Sequence, residues 1–194
     1  LSLDNYISTE NMIPDRGGVI RSSKLPAVKT VSSFSENDIL ISNIRPYFKK
    51  IWYANKNGGC SNDVLVIRAK EGIDPKFLYY VLSTDTFFNY TVASSKGTKM
   101  PRGDKHAIMQ YKVPSFSIDR QLEIASILSA LDDKIELNHK MNDTLEEMAQ
   151  AIFKEWFVDF NFPGATDEFV DSTLGPIPIG WETQPIGEVF DFVI

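Results

Sequence analysis

Hydrophobic and polar positions change rhythm twice along this chain. From Asp38 to Ile44, Lys50 to Ala54 and Asp63 to Ala69, short β-branched and aromatic runs lie between turn formers, a pattern that predicts strands. The stretch "NKNGGC" between the second and third runs reads as a hairpin loop. From Asp74 the period lengthens: Asp74 can cap a helix, Pro75 suits its first turn, and Phe77, Leu78, Val81 and Leu82 fall on one face. A second short helix follows in "DTFFNYTVAS", with Asp85 as the expected cap. After the Ser117 cap, a sustained three-four spacing picks out Ile124, Leu128, Leu131, Ile135, Asn138, Asn142, Leu145, Ala149, Ile152 and Trp156. This predicts one long helix over 118–160, stopped by Pro163 and Gly164, of roughly 43 residues and about 65 Å. No second helix of that length exists in the chain to cover its seam.

The expected fold is therefore α+β: a mixed α/β globular domain over 1–117, a long coiled-coil helix over 118–160, and a Pro/Gly-rich linker and C-terminal segment over 161–194. The chain has 194 residues, 43% of them hydrophobic and 24% charged, enough apolar material for a real core. No apolar run approaches the ~18 residues of a spanning helix. The single cysteine, Cys60, cannot form an internal disulfide, so a reducing cytoplasm is the expected setting.

Charge changes the picture further. Residues 1–117 hold 16 Lys+Arg against 10 Asp+Glu, whereas 118–194 hold 4 against 16. A basic half and an acidic half suit two partners of different character, and a polyanion suits the first. A simply solvated surface is the alternative. "SNIRPYFKKIW" interleaves Arg45, Lys49 and Lys50 with Tyr47, Phe48 and Trp52, the mixture nucleic-acid surfaces use; Phe48 and Trp52 also fit a core on alternate strand positions. "SKGTKMPR" adds a Gly-containing loop with Lys96, Thr98, Lys99 and Arg102 that can follow a phosphate backbone.

Catalytic motifs are missing. The chain has no His-Glu-x-x-His pair, cysteine cluster, Gly-x-Ser-x-Gly elbow, phosphate-binding glycine loop or Glu-x-Lys triplet. Asp74 to Lys76 and Asp132 to Lys134 have the Asp-x-Lys form, which a helix cap and an exposed helix face explain. The two histidines, His106 and His139, stand alone. The residues point to a non-catalytic binding protein without metal or cofactor.

Taken in order, "LDNYISTENM", "FSENDILISNIRPYFKKIWYA", "CSNDVLVIRAK", "SSKGTKMPRGD", "RQLEIASILSALDDKIELNHKMNDTLEEMAQAIFKEWFVDF" and "IPIGWETQPIGEVF" resemble the specificity subunit of type I restriction-modification enzymes. The resemblance covers nearly the whole chain. It implies a target recognition domain over 1–117 that reads half of a bipartite site in double-stranded DNA. It also implies a spacer helix that docks methyltransferase subunits and, through them, restriction subunits. Family members carry two recognition domains and two long helices packed antiparallel. This chain has one of each, so it resembles a half-subunit or a fragment. "GWETQPIGEVFDF" resembles the start of a recognition domain, and if it folds back on the N-terminal domain, Trp181, Ile186, Val189 and Phe190 join that core.

A half-subunit accounts for the two asparagines at the middle of the apolar seam. In an antiparallel homodimer centred there, Asn138 faces Asn142 of the mate, Ile135 faces Leu145, Leu131 faces Ala149 and Leu128 faces Ile152. Paired amides satisfy one another, and a shifted register strands each on apolar carbon at roughly 1–3 kcal/mol. Alternatively, both amides face water or a methyltransferase. Two functions remain open at this point: sequence-specific DNA recognition, and an assembly scaffold with weak or non-specific DNA binding.

Overall fold

The computed structural model describes residues 1–28 and 30–191; the last three positions of the expected C-terminal segment lie outside them. The chain divides into two compact units, Leu1–Asp133 and Lys134–Ile194.

In the first unit the strands are β1 (Tyr6–Ile7), β2 (Ser32–Phe34), β3 (Ile39–Ser42), β4 (Ile51–Tyr53), β5 (Gly58–Cys60) and β6 (Val64–Ile67). They form two three-stranded sheets, ordered β1-β5-β2 and β4-β3-β6. β3 is the central strand of its sheet. Side chains alternate across a strand, so Ile39 and Ile41 enter one core with Ile51, Leu78, Leu82, Phe87, Phe88 and Ile108. Leu40 enters another with Ile7, Met12, Phe34, Ala54, Cys60 and Val64. All four residues of β3 are buried, which is why it takes the centre. Burial pushes the Cys60 thiol up to about 11, so it is an unreactive packing group.

The hairpin expected across "NKNGGC" is not formed. β4 and β6 each pair with β3, antiparallel, and not with each other. The glycines instead belong to β5, which lies parallel to β1 and antiparallel to β2. The reason is close approach: a Cβ on Gly58 would stand 2.1 Å from the carbonyl oxygen of Asn5, and one on Gly59 would stand 2.6 Å from Val31 Cγ2.

Helices α1 (Pro75–Leu82), α2 (Asp85–Ala93) and α3 (Lys105–Ile108) complete the first core. Asp74 caps α1 as expected, its carboxylate accepting from Phe77 N at 2.7 Å. The cap of α2 is Thr84, not Asp85. Thr84 has the extended backbone a cap requires and accepts from Phe87 N through Oγ1, whereas Asp85 is already helical and its carboxylate is left free for other partners.

The long helix α4 spans Ile118–Phe153 and continues as a wider π-helical turn over Lys154–Val158. Its start follows the sequence, with Ser117 Oγ accepting from Arg120 N at 3.4 Å. It ends before Pro163 and Gly164: Phe160 takes a left-handed conformation (φ 61°), and Asn161 N donates to Glu155 O at 2.8 Å. The division between units falls inside α4, because its first turns are tied into the first unit. Gln121 is 1% exposed and Ala125 4%. Gln121 Oε1 accepts from Asp74 N at 2.9 Å, and its Nε2 donates to the carbonyls of Phe116 (2.9 Å) and Gly72 (3.2 Å). Tyr80 adds a hydrogen bond from its hydroxyl to Asp132 at 2.8 Å.

In the second unit β7 (Phe169–Ser172) and β8 (Gly175–Pro178) form an antiparallel hairpin, followed by the short α5 (Ile186–Val189). Trp181 is the hub of an aromatic cluster, with ring centroids 5.5–5.8 Å from those of Phe157, Phe160 and Phe162. Ile186, Val189 and Phe190 are exposed.

Candidate nucleic-acid interface

The first unit brings together the two basic stretches singled out in the sequence. Backbone hydrogen bonds run from Arg45 N to Pro101 O (2.7 Å) and from Gly103 N to Asn43 O (3.0 Å), and Ile44 pairs with Arg102. The loop itself is closed at its base, where Lys96 and Arg102 exchange both backbone hydrogen bonds at 2.9 Å. Thr98 and Lys99 are exposed at its tip, and Gly97 turns the chain there with φ 94°. Beside the loop, Tyr47 and Phe48 are exposed with ring centroids 4.7 Å apart. Trp52 divides from them: it is half-buried and packs edge-on against Phe34 at 5.8 Å. The aromatics of "SNIRPYFKKIW" thus divide, Trp52 packing toward the core and Tyr47 and Phe48 lying exposed.

Most of the cations already have partners. Lys49 Nζ lies 2.9 Å from Asp85 Oδ1, Lys96 Nζ 2.5 Å from Asp104 Oδ2, and Arg102 Nη2 3.1 Å from Asp63 Oδ1. Lys49 and Arg16 hold the Asp85 carboxyl below the usual carboxylate range, and Lys96, with the Ala107 and His106 backbone amides, does the same to Asp104. Lys50 donates to the Thr9 carbonyl at 2.7 Å, and burial lowers the pKa of its ammonium. Arg45 has its Nε buried without a hydrogen-bond partner, as is Asn43 Oδ1 two residues earlier.

Arg16 was not among the sequence candidates, since nothing in "PDRGG" marks it. Its guanidinium pairs with Asp85 alongside Lys49, and its backbone N–H donates to Lys49 O at 3.0 Å. Asp15, Arg16, Arg45 and Lys49 are four of the six non-glycine residues with positive φ among those described. Strained backbone of this kind persists where surrounding structure holds it in place, and it gathers at functional sites.

Other possible sites are poor. A cleft of about 460 Å³ lies between the free edges of β2 and β6, lined by Ser32, Ser33, Val64, Val66, Lys105 and Met109 among others, without a carboxylate or histidine. Among the described residues no cluster of His, Cys, Asp and Glu is arranged to hold a metal, and no helix is long and apolar enough to cross a membrane.

The helix residues expected to pair are placed on an uncovered surface. Leu131, Ile135, Asn138, Asn142, Leu145, Ala149 and Ile152 are exposed, and Leu128 is intermediate.

Comparison with known proteins identifies the family. The family model for the type I restriction modification DNA specificity domain matches residues 16–147, which include both basic stretches and most of α4. The chain is 36% identical over 122 residues to the type I restriction enzyme MjaIX specificity subunit of Methanocaldococcus jannaschii, covering 62% of this chain and 28% of that protein. It is 30% identical over 192 residues to the MjaVIII specificity subunit of the same organism, covering 96% of this chain and 42% of the relative. Among solved structures, the HsdS subunit from Thermoanaerobacter tengcongensis has the same fold, with a TM-score of 0.55 at 20% identity over 86% of this chain and 46% of that one. The chain thus spans less than half the length of these relatives. With its family model covering both the basic surface and most of the long helix, this chain belongs to the type I restriction modification DNA specificity domain family.

Proposed function

We propose that the chain is a non-catalytic DNA-recognition module of a type I restriction-modification system, reading one half of a bipartite site. The observation that carries this reading is the meeting of the 43–49 and 96–103 segments through backbone hydrogen bonds inside the region matched by the family model. Arg45, Lys49, Lys50, Lys96, Thr98, Lys99 and Arg102 are the proposed DNA contacts, with the exposed loop tip at Thr98 and Lys99 the best placed to enter a groove. Methyl transfer and cleavage belong to methyltransferase and restriction partners, so this chain needs no cofactor of its own. The test is binding to a pool of randomised duplexes at several salt concentrations. Enrichment of one sequence, with affinity falling steeply as salt rises, supports recognition; salt-sensitive binding without enrichment supports the scaffold reading instead. The scaffold reading draws its support from the pairing of Lys49, Lys96 and Arg102 with carboxylates of the same chain.

The helix α4 is the proposed assembly element. Besides the Leu128 to Ile152 seam it carries a second, less continuous row about a quarter turn around the helix, with Ile127, Ala130, Leu137, Met141 and Met148 apolar and Lys134 and Thr144 polar between them. Two rows suit a helix packed between two neighbours, an antiparallel mate on the first and a methyltransferase subunit on the second. Asn138 and Asn142 set the register with the mate. Light scattering on the intact chain is expected to give a dimer mass, and Asn138→Leu/Asn142→Leu a mixture of species. A monomer for the unaltered chain would refute self-pairing.

A further inference from the structure

Arg16 and Lys49 come from separate turns but end on the same atom. The Arg16 guanidinium and the Lys49 ammonium both engage Oδ1 of Asp85. The Arg16 guanidinium is held from behind, and the Lys49 backbone is tied to that of Arg16. Arg16 also donates through Nε to Ser83 O, its guanidinium carbon lies 5.6 Å from the Phe88 ring centroid, and its backbone is tied to Lys49 O. Both residues have left-handed backbones, φ 65° and 51°. The carboxylate is the loose member: its side chain is 65% exposed, against 31% for Arg16 and 28% for Lys49. Because Thr84 caps α2, the Asp85 carboxylate is not the cap of that helix and adds only an acidic group to its first turn.

We propose that Arg16 and Lys49 form a seat for one backbone phosphate of duplex DNA, and that Asp85 occupies this seat until DNA arrives. The inference rests on the DNA-recognition reading and adds Arg16 as a contact and Asp85 as an internal competitor. A phosphodiester presents two non-ester oxygens, one for the guanidinium and one for the ammonium, whereas the carboxylate offers a single oxygen to both. Charge-assisted hydrogen bonds to phosphate suit this pair of donors. The cations are already positioned, so exchange requires only that Asp85 rotate into solvent. Phosphate contacts fix position without reading bases, so Asp85 lowers affinity for every duplex and leaves sequence preference unchanged.

The experiment measures binding of the intact chain to a mixed-sequence duplex by fluorescence anisotropy across a salt series, beside Asp85→Asn, Lys49→Gln, the double variant and Asp4→Asn. Asp4 pairs with Arg21 at 2.9 Å and is 68% exposed, so its neutralisation makes the same change in net charge in a similar setting. Asp85→Asn is expected to bind about fivefold tighter and Asp4→Asn to change much less, as a local competitor differs from a general field. Lys49→Gln is expected to weaken binding and to reduce the slope of log affinity against log salt by about 0.9, one phosphate contact. In the double variant the gain from Asp85→Asn is expected to shrink, because the two residues act on one site.

Equal gains from Asp85→Asn and Asp4→Asn, or an unchanged slope in Lys49→Gln, would overturn the seat while the wild-type salt dependence upheld DNA binding. If Asp85→Asn unfolds, Arg16→Gln decides: a slope reduced by about 0.9 supports the seat and an unchanged slope overturns it. Absence of salt-dependent binding by the wild type would remove the DNA reading and the seat with it.

Discussion

Gly58→Ala is expected to destabilise the first unit by about 3 kcal/mol, the upper range for forcing extra volume into a packed site. The added methyl would stand 2.1 Å from Asn5 O and 2.6 Å from Phe34 Cζ. A ring can rotate away, but Asn5 O is backbone and accepts the hydrogen bond from Gly59 N at 3.0 Å. Relief therefore requires β1 to move off β5, which also breaks the bond from Ser61 N to Ile7 O. Ile7 is 1% exposed in the second hydrophobic cluster, so the movement opens that core. Denaturant unfolding should show a lower midpoint, and amide exchange at Gly59 and Ser61 should accelerate more than at β3. An unchanged midpoint would mean that β1 is not held as described.

Gln121→Leu is expected to cost about 3 kcal/mol for a different reason. The side chain is nearly the same size, so the core is not emptied; what changes is hydrogen bonding. Asp74 N, Gly72 O and Phe116 O each lose a partner in a part-buried setting, where an orphaned polar group costs up to the ~1–3 kcal/mol of a fully buried one. Water reaching Gly72 and Phe116 offsets part of the sum. Asp74 caps α1, so its displacement loosens α1 as well as the first turn of α4. The expected readout is a lower unfolding midpoint together with faster amide exchange in the first turns of α1 and α4. Equal stability in the variant would show that the amide network contributes nothing net.

These two sites mark where sequence reading stopped. "NKNGGC" has the composition of a hairpin loop, and glycine in such a loop is ordinarily explained by turn geometry. Its role here is steric, and the atoms it avoids belong to Asn5 and Val31, far away in sequence. Gln121 sits near the start of an amphipathic helix where glutamine reads as solvated. Its burial depends on the loops at Gly72 and Phe116 closing over it, which no local pattern records.

At the proposed DNA contact surface the division is similar. The cations at 45–50 and 96–102 were visible as charge interleaved with aromatic and glycine residues. Their junction, and the carboxylates that hold three of them, were not, because ion-pair partners such as Asp63 and Asp85 are set by how the sheets and helices pack. Asp85 itself reads as a cap, a local role, but its neighbour Thr84 has the backbone geometry for that position.

What the sequence by itself determined is what depends on neighbours within a few residues. That includes the start and length of α4, the Asp74 and Ser117 caps, the apolar spacing with Asn138 and Asn142 at its middle, and the split of charge between halves. Tertiary structure decided the order of strands around β3, the separate sheet built on Gly58 and Gly59, the burial of Gln121, and the convergence of Arg16 and Lys49 on Asp85. Helix periodicity and capping are satisfied by bonds over three or four residues. Strand partners and ion pairs are chosen among all residues that the folded chain brings within reach.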